Sequence, residues 1–301
     1  MITSFGIATR KFRLDKGLRL LDLAQRLGFS SSFVSAVETG KKPIPPGYVA
    51  AVSKALGLSG LEAQELQRTA DRSKSAVDVD ALGGAQRELV AAFARKLDEL
   101  PPEVLELIKQ QVFKSTEGDV PFKRHRRGLL VDPLSTKIIW GLADQIRSIF
   151  ADSQQIYFPI MDVLEFRMCK FDEEFCIVVC SKDEMGSEEG LVVAGANCIK
   201  LREDVYEGAW NGVGRDRFTA CHEFGHYLMH RQVTMARARE DSHPIYRDAE
   251  WQADTFAGAP LMNSSHLNQF NNYEDAATNC GMTPMAAKVM WSKYQKEGLL
   301  R

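Results

Sequence analysis

Apolar residues recur at helical spacing from the start of the chain. Residues 3–16 carry Phe5, Ile7, Ala8, Phe12 and Leu14 interleaved with Arg10, Lys11 and Arg13, which predicts a first helix. A second is predicted over 20–27; after Gly28, Phe29 and Ser30 a third runs over 31–39 and stops at Gly40. This is a helix, a tight turn with glycine where the backbone must bend, and a second helix whose opening serine can cap it. Pro43, Pro45 and Pro46 break the chain before an amphipathic stretch at 49–56, and a fifth helix is predicted over 61–70.

The pattern then changes. Residues 73–84 are polar and read as a linker, and two helices are predicted over 85–100 and 102–113, with proline at the second one's start, where it is tolerated. Val104, Leu105, Leu107, Ile108 and Val112 form an apolar stripe that must be covered, either by a second copy of the chain or by its own domain. Residues 115–127, ending in the basic run Lys123-Arg124-His125-Arg126-Arg127, read as a boundary. Beyond it comes an amphipathic helix over 136–150. Short β-type runs follow at 155–160, 175–180, 191–193 and 198–201, enough for a small sheet. Residues 205–210 lead through Asn211-Gly212-Val213-Gly214 into a helix over 217–230. Another covers 249–262, where Pro260 is expected to end the pattern, and two closing helices are predicted at 273–279 and 284–296. The expected fold is an all-α head of five helices, 1–72, a helical connector, 73–128, and a C-terminal α+β domain, 129–301.

Bulk composition narrows this little. The apolar fraction is 45% and the charged fraction 26%, as in ordinary globular proteins. No apolar run is long enough to cross a bilayer and the first residues lack a signal-peptide core, so a cytoplasmic protein with no membrane partner is expected. The six cysteines include no CxxC pair and are expected to be reduced thiols. Net charge is −2, but residues 1–75 hold twelve Lys and Arg against six Asp and Glu, a local excess of six that favours nucleic acid.

Chemistry concentrates at HEFGH, residues 222–226. Helical residues four apart share a face, so His222 and His226 can aim two imidazoles at one point while Glu223 flanks it. Two neutral imidazoles and an adjacent carboxylate suit zinc, or manganese in its place, and the water it activates. Glu250 and Asp254, four apart on the later helix, supply carboxylates: Glu250 is assigned as the third ligand and Asp254 as the group that orients a ligating histidine. The reverse assignment stays open, as does a ligand from Glu240, Asp241, His243 or Asp248. His230, one turn past His226, lies too far along to close the same site easily and reads as a partly buried, satisfied histidine. Cys221 reads as a small buried hydrophobe.

Residues 23–59, LAQRLGFSSSFVSAVETGKKPIPPGYVAAVSKALGLS, resemble the helix-turn-helix of the XRE (lambda repressor and Cro-like) family, over roughly residues 5–70. The resemblance implies an operator DNA partner read in the major groove, with Ser31, Ser32 and Ser35 facing base edges and Lys41 and Lys42 the phosphate backbone. Two positions depart from it: Arg19 stands where a Ser or Thr cap is common, and Leu20 where some members have a base-touching Gln. Serines cannot make bidentate base contacts, so readout leans on DNA shape, dimer symmetry or water bridges.

Residues 199–230, IKLREDVYEGAWNGVGRDRFTACHEFGHYLMH, followed by AEWQADTFAGAPLM, are similar to the ImmA/IrrE metallopeptidases over roughly residues 130–300. That resemblance implies a zincin-like fold with His222, His226 and Glu250 as metal ligands and Glu223 as general base. It also implies a protein substrate, a repressor or this chain itself. The resulting expectation is a DNA-binding regulator, in homodimeric form if the connector stripe pairs, carrying a zinc endopeptidase that switches gene expression by cleavage. The alternative is a non-proteolytic regulator whose metal domain is a sensor or dimerisation module. Donors expected to stabilise the oxyanion are His243, Tyr246 or Arg247.

Overall fold

The computed structural model describes residues 2–73, 129–192, 197–230, 236–237 and 244–300. The two connector helices, the basic run at 123–127 and the loop residues Glu240, Asp241 and His243 lie outside the described residues. The chain divides into two compact units, one of residues 1–16 and 37–124 and one of residues 17–36 and 125–301.

In the first unit, α1 (Ser4–Asp15) opens on Thr3, whose Oγ1 accepts from Gly6 N at 3.0 Å and donates to Glu38 O at 2.8 Å. A Cβ at Gly6 would stand 2.1 Å from that same carbonyl, so only glycine admits the approach. α4 (Tyr48–Leu56) and α5 (Gly60–Arg72) pack with α1 around Phe5, Phe12, Tyr48, Val52 and Leu66. Ser59 and Glu62 cap α5 reciprocally, Ser59 N donating to Glu62 Oε2 at 2.7 Å.

The second unit contains α2 (Leu20–Leu27) and all but the last two residues of α3 (Ser31–Glu38). Gly28 closes α2 at φ 72°, the left-handed conformation that lets the chain turn into α3, and Ser30 Oγ caps α3 by accepting from Phe33 N at 3.1 Å. The missing Ser or Thr cap of α2 is replaced from within: Asp22 Oδ2 accepts from Arg19 N at 2.9 Å, and the Arg19 guanidinium pairs with Asp22 at 2.6 Å. Arginine has no acceptor, so Asp22 does the capping.

The rest of the unit is α+β. Strand β1 (Leu129–Leu130) pairs antiparallel with β5 (Ala236–Arg237), and β2 (Cys176–Cys180), β3 (Gly190–Val192) and β4 (Cys198–Arg202) form a sheet in the order β2-β4-β3. β4 runs parallel to β2 and antiparallel to β3, which leaves β3 at an edge among the described strands. The helices are α6 (Thr136–Phe150), the short α7 (Ile160–Asp162) and α8 (Lys182–Met185), α9 (Glu203–Trp210), α10 (Gly214–His230), α11 (Ala249–Leu261), α12 (Tyr273–Cys280) and α13 (Pro284–Lys296). α10 is the centre, packing on α11, α9 and β3; a Cβ at Gly225 would meet Phe256 Cδ1 at 2.9 Å, so this glycine sets how closely α10 and α11 lie. No described helix is long and apolar enough to cross a membrane.

Two expectations are corrected. Residues 155–160 form no strand, because their carbonyls are taken by buried arginines: Arg147 binds Ile156 O at 3.3 Å and Gln155 O, and Arg217 binds Phe158 O at 2.9 Å. The chain instead enters α7, which continues through a π turn (Val163–Arg167) and a 3-10 turn (Met168–Lys170). Pro260 does not stop α11, which runs on to Leu261: in the last turn a missing N–H forfeits one ladder bond, and the Pro260 carbonyl is held by Arg147 at 2.7 Å. Residues 205–210, to which the sequence assigned no element, belong to α9.

Candidate metal centre and recognition helix

Helical spacing and one helix crossing build the centre. His222 and His226 lie one turn apart on α10 and Glu250 in the first turn of α11 faces them; ligand atoms of the three lie within 4.8 Å of one another. The Nε2 atoms of His222 and His226 are 3.0 Å apart, and Glu250 oxygens stand 3.3 Å from the first and 3.5 Å from the second. Ligands about 2.05 Å from a tetrahedral zinc are separated by about 3.3 Å, so the three pairwise distances suit one shared ion of that size. Asp254, a turn beyond Glu250, accepts from His222 Nδ1 at 2.9 Å, which leaves His222 Nε2 turned toward the other two ligands. Asp248 is engaged elsewhere, capping α11 through Trp251 N at 2.9 Å.

Electrostatics mark the same cluster. Burial works against an imidazolium at His222, yet hydrogen bonds to Asp254 and Glu250 outweigh it and raise the pKa to about 9. Burial would likewise raise Glu250, but His222 and His226 pull it well below the usual carboxylate range. The metal-free cluster is thus an ion pair held together by protons, and a divalent cation would take their place. Glu223 is 1% exposed, and its side chain lies against β3: a Cβ at Gly190 would meet Glu223 Cγ at 2.4 Å.

His230 is not a bystander, which its spacing alone did not reveal. It is buried, its Nδ1 lies 2.9 Å from His226 Nδ1, and its Nε2 lies 2.9 Å from Gln252 Oε1. Burial pushes its pKa down to about 4. Cys221 is fully buried and its thiol pushed up to about 12 by desolvation, as an inert core residue is. Tyr246 and Arg247 lie in a 3-10 turn before α11, with Tyr246 O accepting from Leu134 N at 3.2 Å and Arg247 O from Val131 N at 3.0 Å.

At the helix-turn-helix the polar residues are answered by protein. Within the second unit, Ser32 N donates to Glu203 Oε1 at 2.7 Å and Ser32 Oγ to Glu203 Oε2 at 3.1 Å, while Ser31 Oγ donates to Glu207 at 3.2 Å. Ser35 Oγ accepts from Val179 N at 2.9 Å, and Leu20 N donates to Glu165 at 2.7 Å. Ser31 and Ser35 are 1% and 2% exposed, whereas Lys41 and Lys42 are exposed. Carboxylates at the first turn of α3 occupy the position that a DNA phosphate would find attractive, where N–H groups and the helix dipole favour negative charge.

The fold and the cluster define a metallopeptidase-like domain joined to a helix-turn-helix domain. Residues 174–292 match the IrrE N-terminal-like domain, a peptidase family, and residues 4–66 match a helix-turn-helix domain, so the chain carries both. Neither a curated protein nor a solved structure matches the chain.

Proposed function

We propose that the chain is a transcriptional regulator with a DNA-binding head at 1–72, a connector at 73–128 and a zinc-dependent endopeptidase at 129–301. Its substrate would be a repressor or its own chain. The observation that carries the enzymatic half is the convergence of two imidazole nitrogens and a carboxylate at mutual distances of 3.0, 3.3 and 3.5 Å beside a buried glutamate. His222, His226 and Glu250 would hold zinc, or manganese, which when bound supplies Lewis acidity and brings the pKa of a water toward neutrality. Glu223 accepts a proton from the attacking water as its oxygen bonds to the scissile carbonyl carbon, and returns that proton to the departing amine as the C–N bond breaks. Asp254 holds the His222 ring in place. The edge of β3, against which Glu223 packs, offers main-chain groups to which an extended peptide can add as a strand.

The regulatory half rests on the helix-turn-helix match and the basic excess of residues 1–75. Ser31, Ser32 and Ser35 would meet base edges, and Lys41 and Lys42 phosphates, once the serines leave Glu203, Glu207 and Val179. The test is incubation of the full chain and of Glu223→Gln with zinc or manganese and candidate repressors, with fragments read by mass spectrometry. The expected result is metal-dependent cleavage that falls by on the order of 10²–10⁴-fold in the variant. Equal inertness of both proteins, each holding one zinc, would favour the sensor reading instead.

A further inference from the structure

The hydrogen bonds behind His226 fix where its proton sits. Gln252 is fully buried, and its Nε2 donates to Asp132 O and to Tyr246 O, both at 2.8 Å. Carbonyl oxygens only accept, so the amide orientation is set and Gln252 Oε1 must be the acceptor of the 2.9 Å contact with His230 Nε2. His230 Nε2 therefore carries a hydrogen. A neutral imidazole has one, so His230 Nδ1 presents a lone pair, and the 2.9 Å contact to His226 Nδ1 requires the hydrogen to lie on His226. His226 Nε2 is thereby left bare, 3.0 Å from His222 Nε2 and 3.5 Å from Glu250.

We propose that Gln252 and His230 are positioning residues, a two-step relay from the Asp132 and Tyr246 carbonyls that sets the tautomer and ring orientation of His226 for metal binding. The inference rests on His226 being a ligand, as proposed above. It gives α11 three tasks at two-residue intervals: Glu250 binds, Gln252 orients His226 through His230, and Asp254 orients His222 directly. A histidine relay suits this site because His226 is buried, whereas the Asp254 carboxylate that serves His222 is exposed: a neutral acceptor behind His226 brings no buried charge with it.

The test uses the full chain with ¹⁵N-labelled histidine, before and after zinc. Metal-free wild type should show His226 as the Nδ1–H tautomer, and Gln252→Leu and His230→Leu should convert it to a mixture while weakening zinc binding, measured by chelator competition, by about 10- to 100-fold. His230→Asn, whose amide oxygen can take the place of His230 Nδ1, should recover most of that loss, which a purely space-filling role would not predict. A wild-type His226 protonated on Nε2, or tautomer and zinc affinity unchanged in both leucine variants, would overturn the relay. A wild type that shows the Nδ1–H tautomer but takes up no zinc would instead refute the ligand assignment, and the positioning role with it.

Discussion

Two helices of the second unit each turn a row of polar groups in one direction, and both rows meet carboxylates, in different arrangements. On α10, His222 and His226 are backed by Asp254 and His230, so their remaining nitrogens converge with Glu250 on one point. On α3, Ser31, Ser32 and Ser35 point at Glu207, Glu203 and the Val179 amide, which already satisfy them. The first row joins Glu250 in a donor set of the kind a cation takes, and two of the three serines already meet carboxylates of their own chain. Exposure does not distinguish them, since members of both rows are buried. What distinguishes them is the convergence: the nitrogens of α10 gather with Glu250 within 4.8 Å of one another, whereas the hydroxyls of α3 are engaged one by one by Glu203, Glu207 and Val179.

The largest effect that sharpens this contrast should come from Glu250→Ala. Losing one of three ligands should weaken zinc by on the order of 10³-fold, about a third of the free energy of a typical site. Calorimetric titration measures it, and retention of wild-type affinity would mean that the row on α10 does not serve a metal. Zinc at a thousandfold excess over its Kd should also stabilise the wild type by about 4 kcal/mol, a gain absent from Glu250→Ala in thermal unfolding. Next, Glu203→Gln combined with Glu207→Gln should raise DNA affinity about tenfold, because the charge opposing phosphate at the α3 N-terminus is removed. Fluorescence anisotropy with operator DNA reads this, and unchanged affinity would show that the carboxylates do not compete with DNA. Lys41→Ala with Lys42→Ala should lower the slope of log K against log salt by about 2, with little change in base preference. The smallest effect is Ser30→Ala: loss of the α3 cap should cost about 1 kcal/mol in denaturant unfolding.

Much of the site was legible because a helix imposes its period on side chains. His222 and His226 could be placed together, and Glu250 with Asp254, from spacing alone. Glu250 could be assigned as the ligand, but the reverse stayed open, because both carboxylates share a face and only the crossing of α10 with α11, set at Gly225 and Phe256, separates their positions. His230 is the buried, satisfied histidine its spacing suggested, but its partners could not be read: Gln252 lies 22 residues on, and the direction of its amide is encoded by no sequence pattern. Most of the longer described helices were legible to within about three residues, since their apolar stripes are regular; α9 and the short α7 and α8 were not. The stretch 155–160 was not, because β-branched and aromatic residues there suggested a strand while Arg147, on the preceding helix, and Arg217, 59 residues on, claimed its carbonyls. The serines of α3 showed the opposite limit: a motif reports what a helix is able to touch, and neighbouring elements decide what it touches at rest.

The split of the helix-turn-helix across the two units bears on any scission of the chain. Cutting between residues 73 and 129 would break covalent continuity, yet α2 and the start of α3 precede the cut and remain tied to Glu165, Glu203, Glu207 and Val179 beyond it. The two fragments would stay together as a nicked protein. Separating them would mean replacing the Glu203 carboxylate at the Ser32 amide, a helix N-terminus that suits an anion.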